Sequence, residues 1–533
     1  MNKKTMRTIA LLLVILSALL CACNAAPSPE DPQNAENAAS GPQSNAPQSS
    51  GEPSETGSQK DTLVIAQIQD ISTFDPQYGS SISDGMIYNQ IFECLLKQTV
   101  DGPPELDLAE SMDISEDGLI YRFKLREGVK FTNGEELTAD DVVFTLERGR
   151  ESPYMMSYFE PVDSFKEVDR YTVEIYMKAP FSLFVYSLAH NYFSILNREA
   201  VEAAGDDITS TPVGTGPYKL QEWVKGEKVI LERNEEYHRG ADYPLKTVTL
   251  LGISDPNTTL IALQSGDVDL VAGVGVAASA RQAVLDDENL AMVESSSSMH
   301  EFMEFNVTKP PFDDPLVRKA LAHAVNKEDV VAMAMEGAAV PTETALPPVA
   351  FGYDPAITGY EYDPEKAKAM LAEAGYPNGF DTVITTAQNR VKNAEVLQSQ
   401  LAAIGVNARI ESLDTGGFLN AVGAGNSEII VMGLIMNYPD AHGMLHESFL
   451  STAPYNWCKY NNPQMDQLLI QARESFDDEE RKQCYTKALE LLKEECPQVP
   501  LFYRTLNLAF NKNLNMPVYP PRGEVVLEEL SWK

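Results

Sequence analysis

Phe123-Lys124-Leu125-Arg126-Glu127-Gly128-Val129-Lys130-Phe131 is followed by Asn133-Gly134 and then by Leu137-Thr138-Ala139-Asp140-Asp141-Val142-Val143-Phe144. From Leu119 to Arg126, Tyr121, Phe123 and Leu125 share one face and charges occupy most of the other, the alternation of a half-buried strand. Glu127-Gly128 and Asn133-Gly134 are turn signals. Thr138 then predicts a helix cap with Asp141, and Gly149 is expected to end that helix. Strand, turns and capped helix in immediate succession make this an α/β chain.

The same grammar continues outward. Tyr171, Val173, Ile175 and Met177 alternate as a second strand. Asp363-Pro364 opens a helix with Ala367, Met370, Leu371 and Ala374 on one face and Gly375 at its end. Ala394, Leu397, Leu401 and Ile404 form a further stripe, ended by Gly405. These stripes read as core faces. The run Val213 to Tyr218 holds two glycines and a proline, suited to a tight backbone passage where β-carbons would clash. The chain carries no internal repeat.

The N-terminal segment has a different character. Lys3, Lys4 and Arg7 precede an apolar run from Ile9 to Leu20, then Cys21-Ala22-Cys23. That is a secretory signal, too short to span a bilayer comfortably. Leu20, Ala22 and Cys23 resemble a bacterial lipobox, with residues 1–22 as signal peptide and Cys23 lipidated; the alternative is an ordinary signal with an incidental cysteine. Each buried methylene of an acyl chain contributes ~0.8 kcal/mol, so several chains anchor stably. Between Asn24 and Lys60 there is no Val, Ile, Leu, Met, Phe, Trp, Tyr or Cys. Such a segment cannot bury enough apolar surface to order itself, and residues 23–60 are expected to act as a disordered tether roughly 30–36 Å in reach.

Formal charge is −37, about −40 without Lys3, Lys4 and Arg7. That balance argues against nucleic acid and anionic lipid as partners. Export permits disulfides among Cys94, Cys458, Cys484 and Cys496 without requiring them. A single helix from Asp477 to Glu495 would hold Cys484 and Cys496 ~18 Å apart, beyond disulfide reach.

No HExxH, Walker A loop, GxSxG or CxxC is present, and no cofactor is implied. Of the six histidines, only His442 and His446 are spaced to share a helical face. With Asp440 or Glu447 they can hold a metal; incidental loop histidines are the other reading. The many carboxylates permit a glycosidase pair, but nothing singles one out.

A resemblance covers nearly the whole body. Leu108-Ala109-Glu110-Ser111, the opening stretch through Phe144, Pro212-Val213-Gly214-Thr215-Gly216-Pro217-Tyr218 with Trp223, and Leu231 to Tyr237 are similar to the extracellular solute-binding family 5. So are Ala262 to Asp269, Asn306 with Pro311-Phe312-Asp313-Asp314, Val317 to Leu321, and Pro497 with Val499 to Tyr503. These are the oligopeptide- and dipeptide-binding receptors of ABC importers, and the blocks fall in order along the chain.

The resemblance implies a type II periplasmic-binding-protein-like fold with two lobes and a hinge. Lobe one would comprise residues 61–298 and 502–533, with an inserted subdomain at 93–212; lobe two would be 299–501. The hinge would lie near Phe302–Asn306 and Pro500–Tyr503. A ligand touching both lobes stabilises the closed form, which a permease with separately encoded ATPase subunits would recognise. With the N-terminal reading of Cys23, the expectation is a monomeric, non-enzymatic receptor, lipid-anchored on the extracytoplasmic face of a bacterial membrane.

In peptide-binding relatives an Asp within W-x-A-D-Y pairs with the peptide ammonium. Here the run is Leu434-Ile435-Met436-Asn437-Tyr438-Pro439-Asp440, so Asn437 stands at the amine position and Leu434 replaces the Trp. Asn437, Tyr438 and Asp440 are therefore candidate ligand contacts, Asp440 recovering the charge if the loop shifts. Arg390 is either a carboxylate-binding residue or a solvated surface arginine. Asn456 and Trp457 are candidate pocket residues, the tryptophan equally a core residue. Tyr88 and Asn89 are candidates from lobe one. A peptide or similar zwitterionic solute is the expected ligand. A nickel or metallophore receptor using His442 and His446 is the alternative within the family, and an extracytoplasmic hydrolase the alternative outside it.

Overall fold

Two long strands, Leu290–Phe305 and Gln498–Asn511, pair antiparallel and organise the molecule. The computed structural model describes residues 60–533 except 80, 100–101, 206, 274, 437 and 517–524. Residues 1–59 of the expected signal and tether, Cys23 included, and the candidate Asn437 lie outside the described residues; Lys60, expected at the end of the disordered tether, instead pairs with Asp269 at 2.8 Å.

The two strands sit inside one large sheet. Gln498–Asn511 leads outward through Leu270–Val271, Thr62–Gln67, Thr247–Gly252, Lys228–Arg233 and Tyr218–Val224. Leu290–Phe305 leads the other way through Ile429–Ile435, Phe380–Ala387 and Val406–Leu413. The inner strands of both wings are parallel, joined by crossover helices such as Pro256–Ser265 and Val391–Ala402. The crossover helices bury the apolar stripes read from the sequence, such as Ala394, Leu397 and Leu401 of Val391–Ala402.

Pairing between the long strands breaks register twice, between Ser296 and His300 and between Glu301 and Phe302. Before the first break Leu290–Ser296 pairs with Thr505–Asn511; after it, residues from His300 on pair with Tyr503 and earlier. A register break weakens the ladder where two wings must bend. It lies just N-terminal to the Phe302–Asn306 stretch expected as the hinge.

Each wing has its own core. Ile65, Phe74, Tyr88, Leu250, Leu508 and Trp532 belong to one, so the chain's C-terminal segment returns to the first lobe. Phe305, Leu321, Leu397, Val431 and Phe502 belong to the other. A separate four-stranded antiparallel sheet, with a core including Tyr121, Phe123, Val142 and Ile175, is inserted in lobe one.

The opening stretch behaves as read, with one difference. Ile120–Leu125 buries Tyr121, Phe123 and Leu125, and Thr138 and Asp141 form a capping box on the helix Ala139–Glu151. Gly149 does not end that helix, which runs on to Glu151 with Ser152 as its cap. A β-carbon at Gly149 would lie 3.0 Å from Met155 and 3.1 Å from Gln77 and Phe159, so close packing explains the glycine.

Candidate functional site

A cavity of about 490 Å³ opens between the lobes, within the ~300–1,000 Å³ usual for small-ligand sites. Lobe one supplies Asn89, Gln90, Glu93, Asp107, Asn191 and Arg239; lobe two supplies Val349, Met436, Tyr438 and Pro439; Ser298 comes from the register break between them.

The lobe-one wall starts at the helix Ile82–Ile91, fixed by a reciprocal Ser81–Asp84 capping box. Its end is held by the loop at Gly214 and Gly216, whose backbone passes against Ile91; the Gly216 N–H donates to the Ile91 carbonyl at 2.9 Å. Beyond it lies a buried polar cluster. Tyr237 Oη donates to Glu93 Oε1 at 3.0 Å, and His238 Nε2 lies 3.0 Å from both Glu93 oxygens. Arg239 pairs closely with Asp107 and lies 3.4 Å from Glu93. Burial, then the Glu93 charge, pushes the Asp107 carboxyl up to about 6 against the pull of Arg239. Glu528 is likewise raised, by burial first and Glu93 next. The wall therefore carries more acid than base.

On lobe two, Tyr438 stacks on Tyr186 of the inserted subdomain, ring centroids 5.3 Å apart. Ser182 donates its N–H and hydroxyl to the Arg473 carbonyl at 3.1 and 3.0 Å. These contacts bring the inserted subdomain onto lobe two beside the cavity.

The remaining candidates have structural partners and do not line the cavity. Asp440 is fully buried, ion-paired with Arg481, and accepts from Tyr485 Oη and the His442 N–H at 2.9 Å each. Burial raises its carboxyl above the usual range, with Arg481 pulling the other way. With no exposed surface and no part in the cavity wall, Asp440 is not presented to a ligand amine there. Arg390 is neither solvated nor at the cavity: its Nε lies 2.8 Å from buried Glu301, which also holds Arg504. Asn456 spends its amide on the Leu450 and Tyr460 carbonyls and accepts from the Tyr460 N–H. Trp457 packs with Phe302, Phe418 and Met432. Tyr88 is buried and donates to the Thr73 carbonyl at 2.8 Å. Of the sequence candidates, Asn89 and Tyr438 reach the cavity. Sequence reading missed Glu93, Asp107, Asn191, Arg239 and Glu528, which come from separate segments and match no motif. His442 and His446 lie on the helix His442–Phe449, behind Tyr438, and do not line the cavity. Among the described residues no helix is long and apolar enough to cross a membrane.

Two lobes strung on a pair of strands, with a cavity walled from both, define a bilobal solute receptor of the type II periplasmic binding class. The chain belongs to the bacterial extracellular solute-binding proteins, family 5, whose model matches residues 103–456. It is 32% identical over 467 residues to the glutathione-binding protein GsiB of Salmonella paratyphi A, covering 85% of this chain and 91% of that one. Among solved structures, HbpA2 of Haemophilus parasuis superposes with a TM-score of 0.81 at 28% identity, covering 89% of this chain and 100% of HbpA2. The Helicobacter pylori periplasmic binding protein DppA, in complex with the peptide STSA, superposes with a TM-score of 0.74 at 30% identity, covering 88% and 98%.

Proposed function

We propose that this chain captures a short peptide, or a zwitterionic solute of similar size, and presents it in the closed form to an ABC permease driven by separate ATPase subunits. The observation that carries this is the cavity itself, walled by residues of both lobes with the register break behind it. A ligand spanning those walls binds the closed state better than the open one, and that difference sets the population. The relatives are named as binding proteins, one for glutathione and one crystallised with a peptide, which supports a receptor rather than an enzyme. The lobes divide near residues 298/299 and just after Phe502, whose side chain lies in the lobe-two core, and Cys23 carries the lipid that holds the receptor on the outer face of the membrane.

The test is calorimetric titration of the purified protein with short peptides, free-amine against N-acetylated. Saturable binding with no peptide hydrolysis is expected; hydrolysis, or no binding across a peptide library, contradicts the reading. Asn437 is the proposed amine partner, and as a neutral acceptor it forgoes a charge-assisted hydrogen bond of about 1.5–3 kcal/mol. Asn437→Asp is thus expected to tighten free-amine peptides roughly ten- to a hundredfold, and N-acetyl peptides not at all. Unchanged free-amine affinity would remove Asn437 from the amine site.

Asp107 gives a pH signature. Its carboxyl, raised to about 6, is ionised above that pH and neutral below it. Affinity for an ammonium-bearing peptide is expected to fall roughly tenfold between pH 7 and pH 5, a change that Asp107→Asn abolishes. Folding moves oppositely. The folded state retains this proton in a pH range where the unfolded state has lost it, so stability rises as pH falls from about 6 toward the ordinary value of 3.8. Binding and denaturation measured across the same range separate the two effects.

A further inference from the structure

We propose that His442, His446 and Glu447 form a site for one divalent first-row transition-metal ion, in the contact between lobe two and the inserted subdomain and outside the ligand cavity. The helix His442–Phe449 puts the two imidazoles one turn apart on the same face, ring centroids 4.1 Å apart. One ligand atom from each of the three side chains lies within 4.8 Å of the others. Among the described residues, Nδ1 of His442 and both ring nitrogens of His446 are buried without a hydrogen-bond partner. Buried polar atoms left unpaired are costly, and the one lone pair that each neutral ring offers points to something that uses it.

Charges of both signs surround the cluster, Glu447 and Glu160 favouring a cation and Arg473 and Arg481 opposing it. Glu447 and Glu160 repel one another, and Glu447 is raised by burial and by that neighbour. Arg473, Arg481 and Asp466 lie near the histidines. His446 Nδ1 stands 4.0 Å from Glu447 Oε1, too far for a hydrogen bond. Metal–ligand bonds of about 2.0–2.2 Å in tetrahedral geometry would require ligand atoms about 3.4 Å apart. The ligand atoms would therefore have to draw closer than they stand, and the part-exposed Glu447 carboxyl is the side chain freest to move. Two imidazoles and one carboxylate suit Zn²⁺, Ni²⁺ or Co²⁺ with a position left for water, and do not suit Mg²⁺ or Ca²⁺, which prefer all-oxygen shells. The ion would sit behind Tyr438, against which His442 stacks at 6.3 Å, and beside Phe181 of the inserted subdomain at 5.6 Å.

The test uses the untagged full chain, stripped with chelator and titrated with Zn²⁺ and, as a spectroscopic probe, Co²⁺. One equivalent is expected to bind, with visible d–d absorption in the Co²⁺ form. His446→Ala and Glu447→Gln should each weaken Zn²⁺ at least tenfold and abolish the Co²⁺ band; Glu447→Gln, part-exposed, keeps the test valid if the histidine variant folds poorly. Absence of saturable binding, or a single equivalent bound undiminished by both variants, would overturn the site. Peptide titration of the same samples is read separately, since the ion lies outside the cavity.

Discussion

Arg481→Met is expected to destabilise the protein by about 3–5 kcal/mol, seen as a fall in the denaturant midpoint of the transition reporting lobe two. Arg481 is nearly buried and pairs with Asp440, which has no exposed surface. Its guanidinium also lies over the Phe351 and Tyr485 rings at 4.5 and 5.9 Å. Methionine fills much of the volume but leaves a buried carboxylate with only the Tyr485 hydroxyl and one backbone N–H. The loss should shrink at acid pH, where Asp440 takes up a proton, and the double variant Arg481→Met/Asp440→Asn should recover most of it. A single variant as stable as the parent would show that Asp440 is not held by this pair, and would return it to consideration as the ligand's amine partner.

Gly214→Ala should cost at least about 3 kcal/mol, more than ordinary core overpacking, because the obstacle is backbone. A β-carbon there would lie 2.0 Å from the Ile91 carbonyl oxygen and 2.9 Å from the Phe92 ring. The loop cannot simply retreat, since the Gly214 carbonyl accepts from the Thr132 N–H of the inserted subdomain at 2.9 Å. The clash falls at the end of the helix that brings Asn89 and Gln90 to the cavity, so weaker peptide binding should accompany the lost stability. Gly128→Ala is the control. Gly128 has φ of +77° but open space around it, so only about 1 kcal/mol is expected. Equal effects at the two positions would contradict the close approach at Gly214.

What the sequence made legible is what local chemistry determines. Alternation identified Ile120–Leu125, the Thr138–Asp141 pair identified a helix start, and Pro364 and Gly375 bracketed Pro364–Glu373. The glycines of the Val213–Tyr218 loop were readable as a close passage, though not what they pass. Gly149 misled because a glycine chosen for packing looks the same in sequence as one that ends a helix. The site was less legible for a related reason. Tyr438 and Asn89 sit in recognisable runs, but Glu93, Asp107, Arg239 and Glu528 meet only through tertiary folding, each from a different segment. Asp440 looked available because its partner Arg481 is 41 positions away, and Arg390 because Glu301 is 89 away. Side chains that serve structure and side chains that serve a ligand carry the same chemistry, and only their partners distinguish them.

The claim that the chain is a peptide receptor is tested most directly by native mass spectrometry of gently purified protein, followed by denaturation and sequencing of what is released. A family of adducts resolving into short peptides is the result expected from a cavity of this size walled by both lobes. Protein that arrives empty and stays empty after incubation with a peptide library, or that releases one non-peptide species, would contradict it.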